Sequence, residues 1–313
     1  MTSRTPYDSV LMIGFGGPTE PGHSEEFVRR IVGNRPGMDQ RILEVARHYE
    51  EFGGISPYNE RTFAKARGLE ERLRARGADV RVLVGMRFWE PYARDVLRSM
   101  AAQDLRSAIG IVLSVHQCSA SWDKYIDTVS EGMAELGERA FRVDYLEPFH
   151  LSDGFVEAVA DNIRSHCLRE LGPDRFRSAA LVFTAHSVPV SVASEAPYVQ
   201  QFADTAAAVA ERLERPGFAL AYQSAAGGRV PWLGPDVSAA IRSAAERGAK
   251  DVIVSPIGFL CDHVEVLYDL DIVARETARQ AGLGYVRPRT VETHPAFLDQ
   301  LARLVLAKLE LGD

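Results

Sequence analysis

The segment Asp262-His263-x-Glu265-x-x-x-Asp269 gathers an imidazole and a file of carboxylates directly behind an apolar run at 251–259. The run reads as a strand and the segment as the start of a helix. Glu265 and Asp269, four apart, then share one helix face near its N-terminus. A second apolar run, 180–184, leads straight into His186 within Thr184-Ala-His-Ser-Val-Pro189. In an open α/β sheet both features lie at the carboxyl ends of strands, where ligands bind. An imidazole there can ligate a metal or take a proton near neutral pH. Facing carboxylates, it completes a set of parts for handling a divalent cation and protons together. A structural reading competes at the same residues. Asp262 with Glu265 three positions later resembles a capping box, in which the side chains serve the helix end alone.

These side chains need a frame that brings separate strands together. Short apolar runs at 9–15, 80–86, 109–115, 141–145, 179–184, 218–222, 252–259 and 284–287 alternate with stretches of helical period. The latter lie at 64–76, 92–102, 120–136, 154–171, 198–214, 235–247, 263–281 and 295–309. Such alternation predicts parallel βαβ units. Eight strands could close a barrel, but uneven spacing and a long first loop point elsewhere. The expected α/β fold is two Rossmann-like, doubly wound domains, each with a four-stranded parallel sheet. The domains are expected at 1–147 and 148–313, the last helix (about 294–311) packing back on the first, with the ligand in the cleft between them. Ile111-Val-Leu-Ser-Val-His116 resembles Leu181-Val-Phe-Thr-Ala-His186, a faint internal repeat in line with the split.

The 313 residues are 46% apolar and 25% charged, the balance of an ordinary globular protein. A net charge of −7 argues against a nucleic-acid surface. Cys118, Cys167 and Cys261 lie far apart with no CxxC. Neither a disulfide framework nor a zinc site of known spacing is expected, and a reducing cytosol fits. No signal peptide or membrane-length apolar stretch is read, so a cytoplasmic protein is expected.

Two glycine-rich segments invite a phosphate-binding reading and fail it. Gly14-Phe-Gly-Gly-Pro18 lacks the third glycine of a dinucleotide fingerprint, and Phe52-Gly-Gly-Ile-Ser-Pro57 lacks the Gly-Lys-Ser/Thr of a Walker loop. The second is either a plain turn or a loop that presents Ser56 and backbone N–H groups to a carboxylate. Residues 222–236 set Trp232 in a loop rich in glycine and proline. There it is ordinary packing or one wall of a flat aromatic ligand's pocket.

In combination and in order, several motifs resemble the ferrochelatases. They are His186-Ser-Val-Pro189, Tyr222-Gln-Ser224 with Pro231-Trp-Leu-Gly-Pro235, and Pro256-Ile-Gly-Phe259 with Asp262-His-Val-Glu-Val-Leu-Tyr-Asp-Leu-Asp271. Phe15-Gly-Gly-Pro18 and Gly53-Gly-Ile-Ser-Pro57 fit too, and with Phe88-Trp-Glu-Pro91 the likeness is closest to the bacterial coproporphyrin type. It covers nearly the whole chain. The resemblance implies insertion of Fe²⁺ into a porphyrin in heme biosynthesis, coproporphyrin III or, alternatively, protoporphyrin IX. It implies His186 and Glu265 as the catalytic pair and as metal ligands, with Asp269 extending the carboxylate file. Phe15, Arg35, His48, Tyr49, Ser56, Tyr125 and Trp232 would contact the porphyrin. A monomer is expected, with no cofactor beyond substrate Fe²⁺ and only transient contact with neighbouring heme-pathway enzymes.

Departures from the family pattern are visible as well. Phe15 stands where some coproporphyrin-type relatives have an iron-ligating Tyr, and Val273 occupies a position that is usually acidic. Residues 31–34 lack a basic residue that relatives often carry. Many relatives hold a [2Fe–2S] cluster through C-terminal cysteines; none follows Cys261, so no such cluster is expected. Phe15 and Val273 keep open a porphyrin or heme carrier without turnover. A chelatase for another metal is a further alternative, against which segments 262–271 and 222–235 argue. The blandest is a two-lobed binder of some other small molecule.

Overall fold

A computed structural model describes residues 6–33, 37–226 and 230–310. The chain divides into two compact units, one of Met1–Leu113, Trp122–Glu147 and Leu298–Asp313, the other of Ser114–Ser121 and Pro148–Phe297. The stretch 114–121 belongs to the second unit, and the chain from Leu298 on belongs to the first.

In the first unit β1 (Ser9–Gly14), β2 (Arg81–Met86), β3 (Ser107–Val112) and β4 (Arg142–Tyr145) run parallel in the order β2-β1-β3-β4. Central β1 sets the register, Ser9 facing Arg81 on one side and Ala108 on the other. It is buried at every position, as a parallel strand covered on both faces must be. The long first connection, expected to be mostly loop before residue 64, holds helices at Ser24–Val32, Asp39–Glu50 and Tyr58–Ala75. Ser24–Val32 buries Phe27 and Val28 and turns Glu25–Arg29 and Glu26–Arg30 pairs outward. Two apolar anchors are too few for a helical period to stand out in the sequence.

In the second unit β5 (Ala180–His186), β6 (Ala219–Gln223), β7 (Asp251–Ser255) and β8 (Gly284–Val286) are again all parallel, in the order β6-β5-β7-β8. The chain leaves β5 for β6 on one side and returns to β7 on the other. The switch point therefore lies at the carboxyl ends of β5 and β7, the usual ligand edge. β5 runs on through His186, beyond the expected end at Thr184, because His186 pairs with Gln223. Edge strand β8 requires Gly284, since a Cβ there would fall 2.0 Å from Asp251 Oδ1.

The apparent internal repeat is corrected by this topology. Residues 181–186 form β5, the counterpart of β1, whereas 111–116 leave the end of β3. The two hexapeptides answer the same demand, an apolar strand reaching a sheet edge, from non-equivalent places.

The expected continuous helix 263–281 is also corrected. It is α-helical at Val264–Val266, a π-helix over Leu267–Ala274, and α-helical again at Arg275–Gln280. Val266, Leu270, Ala274 and Ala278, all fully buried, recur every four residues and pack with Val182, Val252 and Val254. At 3.6 residues per turn a strict repeat of four drifts by about 40° each step. The wider i→i+5 turn cancels that drift, and the same winding keeps Glu265 and Asp269 in one file. Among the described residues no helix is long and apolar enough to cross a membrane.

Candidate active site

β5 delivers His186 to the ligand edge of the second sheet, and the chain beyond is tied down at once. Ser187 N–H donates to Gln223 O at 2.7 Å, Ser187 Oγ to Leu233 O at 2.8 Å, and Tyr198 Oη to the His186 carbonyl at 2.7 Å. His186 Nδ1 lies against the Ser187 carbonyl. A carbonyl only accepts, so Nδ1 carries a hydrogen and Nε2 is the nitrogen that titrates. Nε2 stands 3.5 Å from Glu265 Oε2. That is wider than the ordinary hydrogen-bond range of about 2.7–3.2 Å, which leaves room to engage a proton or an ion. The two side chains are 38% and 29% exposed. Phe259 covers one flank, its ring 6.5 Å from that of His186 and 5.3 Å from that of His263.

The two imidazoles are driven apart electrostatically. Burial works to lower the His186 pKa, but the Glu265 carboxylate, the Ser187 carbonyl and Asp269 together override it, and the net direction is up. At His263 burial prevails over the pull of Glu265, His186 adds repulsion, and the net direction is down. His186 is thus made the stronger proton acceptor of the two rings and His263 the weaker.

Asp269 stands behind Glu265. Burial raises its pKa; a hydrogen bond from Ser224 Oγ draws it back, Glu265 pushes it up and His186 pulls it down, leaving it above the usual carboxylate value. Ser224 holds φ +62°, a left-handed conformation uncommon for serine, in the turn just after β6. Gln223 accepts from Thr184 Oγ1 at 3.0 Å. Its buried Nε2 lies near enough to Asp269 to lower that carboxyl slightly without closing a full hydrogen bond. Among the described residues no three His, Cys, Asp or Glu side chains gather closely enough to hold a metal ion. The expected trio of His186, Glu265 and Asp269 is therefore an opposed pair with a third carboxyl behind it.

The capping-box reading of Asp262 is corrected. The N-cap is His263, which makes no capping bond. Asp262 accepts instead from Arg287 Nη1 at 2.7 Å and Thr290 N–H at 3.2 Å. Arg287 Nε donates to Asp271 Oδ1 at 2.9 Å, and its Nη2 to Asp271 Oδ2. A charged, forked donor is a stronger partner for a buried carboxylate than a helix-end amide.

Trp232, half-buried, shares this unit. Pro189 and Trp232 form an antiparallel bridge, with Val190 N–H on Pro231 O at 2.9 Å and Leu233 N–H on Val188 O at 3.0 Å. Its loop is thereby stitched to the chain leaving His186.

The remaining sequence candidates belong to the first unit. Phe15 follows β1 directly, its ring 4.8 Å from Phe88 and 6.0 Å from Phe27, and Tyr49 meets Phe27 at 5.4 Å. Phe15 and Tyr49 thus share one aromatic group, and Phe15 also packs against the core group that holds Tyr125. Tyr49, Ser56 and Tyr125 are only 4%, 4% and 6% exposed. Ser56 N–H is spent on Pro18 O at 2.8 Å, and its Oγ accepts from Tyr58 N–H at 3.3 Å. His48 is half-buried on the helix that carries Tyr49. Arg35 lies outside the described residues.

The sequence model of the ferrochelatase family matches residues 7–309. This chain belongs to the ferrochelatase family. Ferrochelatases are lyases that insert a metal ion into a porphyrin, and that enzyme class is the one the motifs imply. The ferrochelatase of Rhodopirellula baltica is 34% identical over 311 residues, spanning 99% of this chain and 88% of its own. The coproporphyrin III ferrochelatase of Propionibacterium freudenreichii subsp. freudenreichii is 35% identical over 317 residues, spanning 97% and 88%. Among solved structures, SirB from Bacillus subtilis with Fe³⁺ matches 97% of this chain and 98% of its own at a TM-score of 0.55 and 13% identity, a likeness of fold. The two four-stranded parallel sheets are those of a chelatase-type pair of Rossmann-like domains.

For this ferrochelatase-family chain, reading the sequence left Ser224, Tyr198 and Arg287 without roles. Ser224 lies in a quoted motif, where two polar residues close an apolar strand. Arg287 ends the run 284–287, and a cation closing a short apolar strand was the available signal.

Proposed function

We propose that the protein inserts Fe²⁺ into coproporphyrin III to give coproheme, in heme biosynthesis, with His186 and Glu265 as the reacting pair. One observation carries this reading: a Ser187-anchored imidazole whose free nitrogen faces a carboxylate at 3.5 Å. Metallation exchanges two pyrrole N–H protons for one Fe²⁺. Neutral His186 accepts one proton at Nε2, and its raised pKa makes it the better acceptor. Glu265 takes the second and hands it toward Asp269, whose own pKa is raised. Imidazole nitrogen and carboxylate oxygen also suit Fe²⁺ on its way to the ring, without the tenacious grip of thiolates.

Coproporphyrin III as the substrate is supported by relatives that carry it in their names. In this reading Phe15, Arg35, His48, Tyr49, Ser56, Tyr125 and Trp232 contact the porphyrin's faces and carboxylates. Phe15 has no ligating atom, so the product iron would take His186, another residue or water. The enzyme works in the cytoplasm as a monomer and needs no resident cofactor. Cys118, Cys167 and Cys261 are too few to complete a four-thiolate cluster from this chain.

The test is anaerobic metallation followed by porphyrin absorbance, with Fe²⁺ and either coproporphyrin III or protoporphyrin IX. Turnover on coproporphyrin that collapses in His186→Ala and Glu265→Gln supports the whole reading. Turnover confined to protoporphyrin IX keeps the pair and replaces the substrate. Porphyrin bound without metallation makes the protein a carrier.

A further inference from the structure

We infer that Arg287 is a positioning residue of metallation: its guanidinium, spanning Asp262 and Asp271, fixes the winding of the segment between them and hence the place of Glu265 opposite His186. The inference rests on the reading of that pair as the reacting centre.

Glu265 lies inside the stretch that Arg287 grips at both ends. The fork takes both oxygens of Asp271, and the remaining terminal nitrogen takes Asp262. The Arg287 side chain is only 9% exposed, and that of Asp262 is more deeply buried still. Neighbours of Arg287 along the chain tighten the same grip. Tyr285 Oη donates to Leu270 O at 2.7 Å, and Asp262 N–H donates to Glu292 Oε1 at 2.8 Å. Four residues that follow the start of β8 (Tyr285, Arg287, Thr290 and Glu292) therefore hold 262–271 from one side.

Such fastening is a poor device for stability alone. Burying charges costs desolvation, and well-packed apolar residues often serve a core as well or better. What a planar, forked cation adds is geometry, since it fixes the spacing and angle of two carboxylates at once. Geometry is also what this segment needs. A π-helix is intrinsically rare beside the α-helix. Relaxation of Leu267–Ala274 to α would turn the buried file of Val266, Leu270, Ala274 and Ala278 off its sheet partners and so change how the whole segment, Glu265 included, seats beside His186.

The experiment compares Arg287→Met and Arg287→Lys with Arg175→Met. The last breaks a different ion pair on the same sheet, Arg175 Nε to Asp251 Oδ2 at 3.0 Å, which touches no part of 262–271. Amide hydrogen exchange is read over 264–274, and kcat and KM are read with Fe²⁺ and coproporphyrin III. Arg287→Met should speed exchange across 264–274 by about 10-fold or more. It should lower kcat by about 10-fold or more, with the porphyrin KM within about 3-fold. Arg287→Lys, which keeps the charge but cannot span both carboxylates, should recover thermal stability and little of the lost kcat. Arg175→Met should change neither readout beyond about 2-fold. Full recovery of kcat by lysine, or equal losses in Arg175→Met, would overturn the inference. A wild-type enzyme that metallates no porphyrin overturns the reading of the pair instead; the exchange data still decide the clamp.

Discussion

His186 Nε2 faces Glu265 Oε2 at 3.5 Å, and the two residues come from β5 and from the chain beyond β7, the strands that flank the switch point of the second sheet. Neither has its working environment without the other. The carboxylate raises the imidazole's pKa, and the imidazole lies within reach of whatever proton the carboxylate accepts.

Residues that act as a unit lose activity as a unit. His186→Ala and Glu265→Gln should each lower kcat/KM by roughly 10²–10⁴-fold, and the double variant should be little worse than the poorer single one. Anaerobic steady-state kinetics on all three variants checks this. Losses that multiply would show two independent contributions.

The pH dependence follows from the direction of the His186 shift. The folded pKa lies above the ordinary value near 6.5, and the accepting form is the neutral one. The acid limb of kcat/KM should therefore lie above about 6.5 and rise with pH. In Glu265→Gln burial remains while the main raising partner is gone, so the limb should move to lower pH even as the maximum rate falls. A limb that stays in place would assign it to another group.

Ser224 combines a strained backbone with a bond to Asp269. Ser224→Ala loses the bond and keeps the strain; Ser224→Gly loses the bond and relieves it. Both should weaken use of Fe²⁺ alike, while the glycine variant should be about 1 kcal/mol more stable than the alanine variant. Urea unfolding beside the KM for Fe²⁺ separates the two effects.

His116 gives the fold an acid limit of its own. It is almost fully buried, its Nε2 3.1 Å from Thr205 Oγ1, with Nδ1 lacking any partner. Thr205 spends its hydroxyl hydrogen on Gln201 O at 2.8 Å, so Nε2–H is the donor in the His116 contact. Burial first, and His150 second, push the His116 pKa down to about 3. The unfolded chain takes up this proton near 6.5 and the folded one does not. Stability is therefore lost as pH falls from about 6.5 toward 3, by up to roughly 5 kcal/mol. His116→Phe should move acid unfolding, followed by circular dichroism, to lower pH. An unchanged midpoint would place the acid sensitivity elsewhere.

What could be read in advance follows the range of the interactions. β1 and β7 were legible because burial on both faces demands an unbroken apolar run, and His186 because such a run ends on it. Ser24–Val32 was not, since two buried apolar side chains make no period. The π-helix left a trace, the four-residue repeat from Val266 to Ala278, which departs from 3.6 by too little to notice in one helix. Arg287 could not be matched to Asp262 and Asp271 from local pattern, because those partners are 25 and 16 residues away along the chain. Asp262 was misread for the same reason: a nearby amide is visible in sequence, and a distant guanidinium is not.

The wide turn at Leu267–Ala274 also bears on how this protein tolerates change in length. Loss of a single residue there would leave an ordinary α-helix, smoother to wind and easier to hold together. It would also break the step of four that keeps Val266, Leu270, Ala274 and Ala278 against the sheet. A more regular chain is thus one deletion away, and its buried file would no longer meet the sheet that carries His186. Breeding this enzyme for robustness alone would tend to find that shortcut, and a library for engineering it should hold the length of this segment constant.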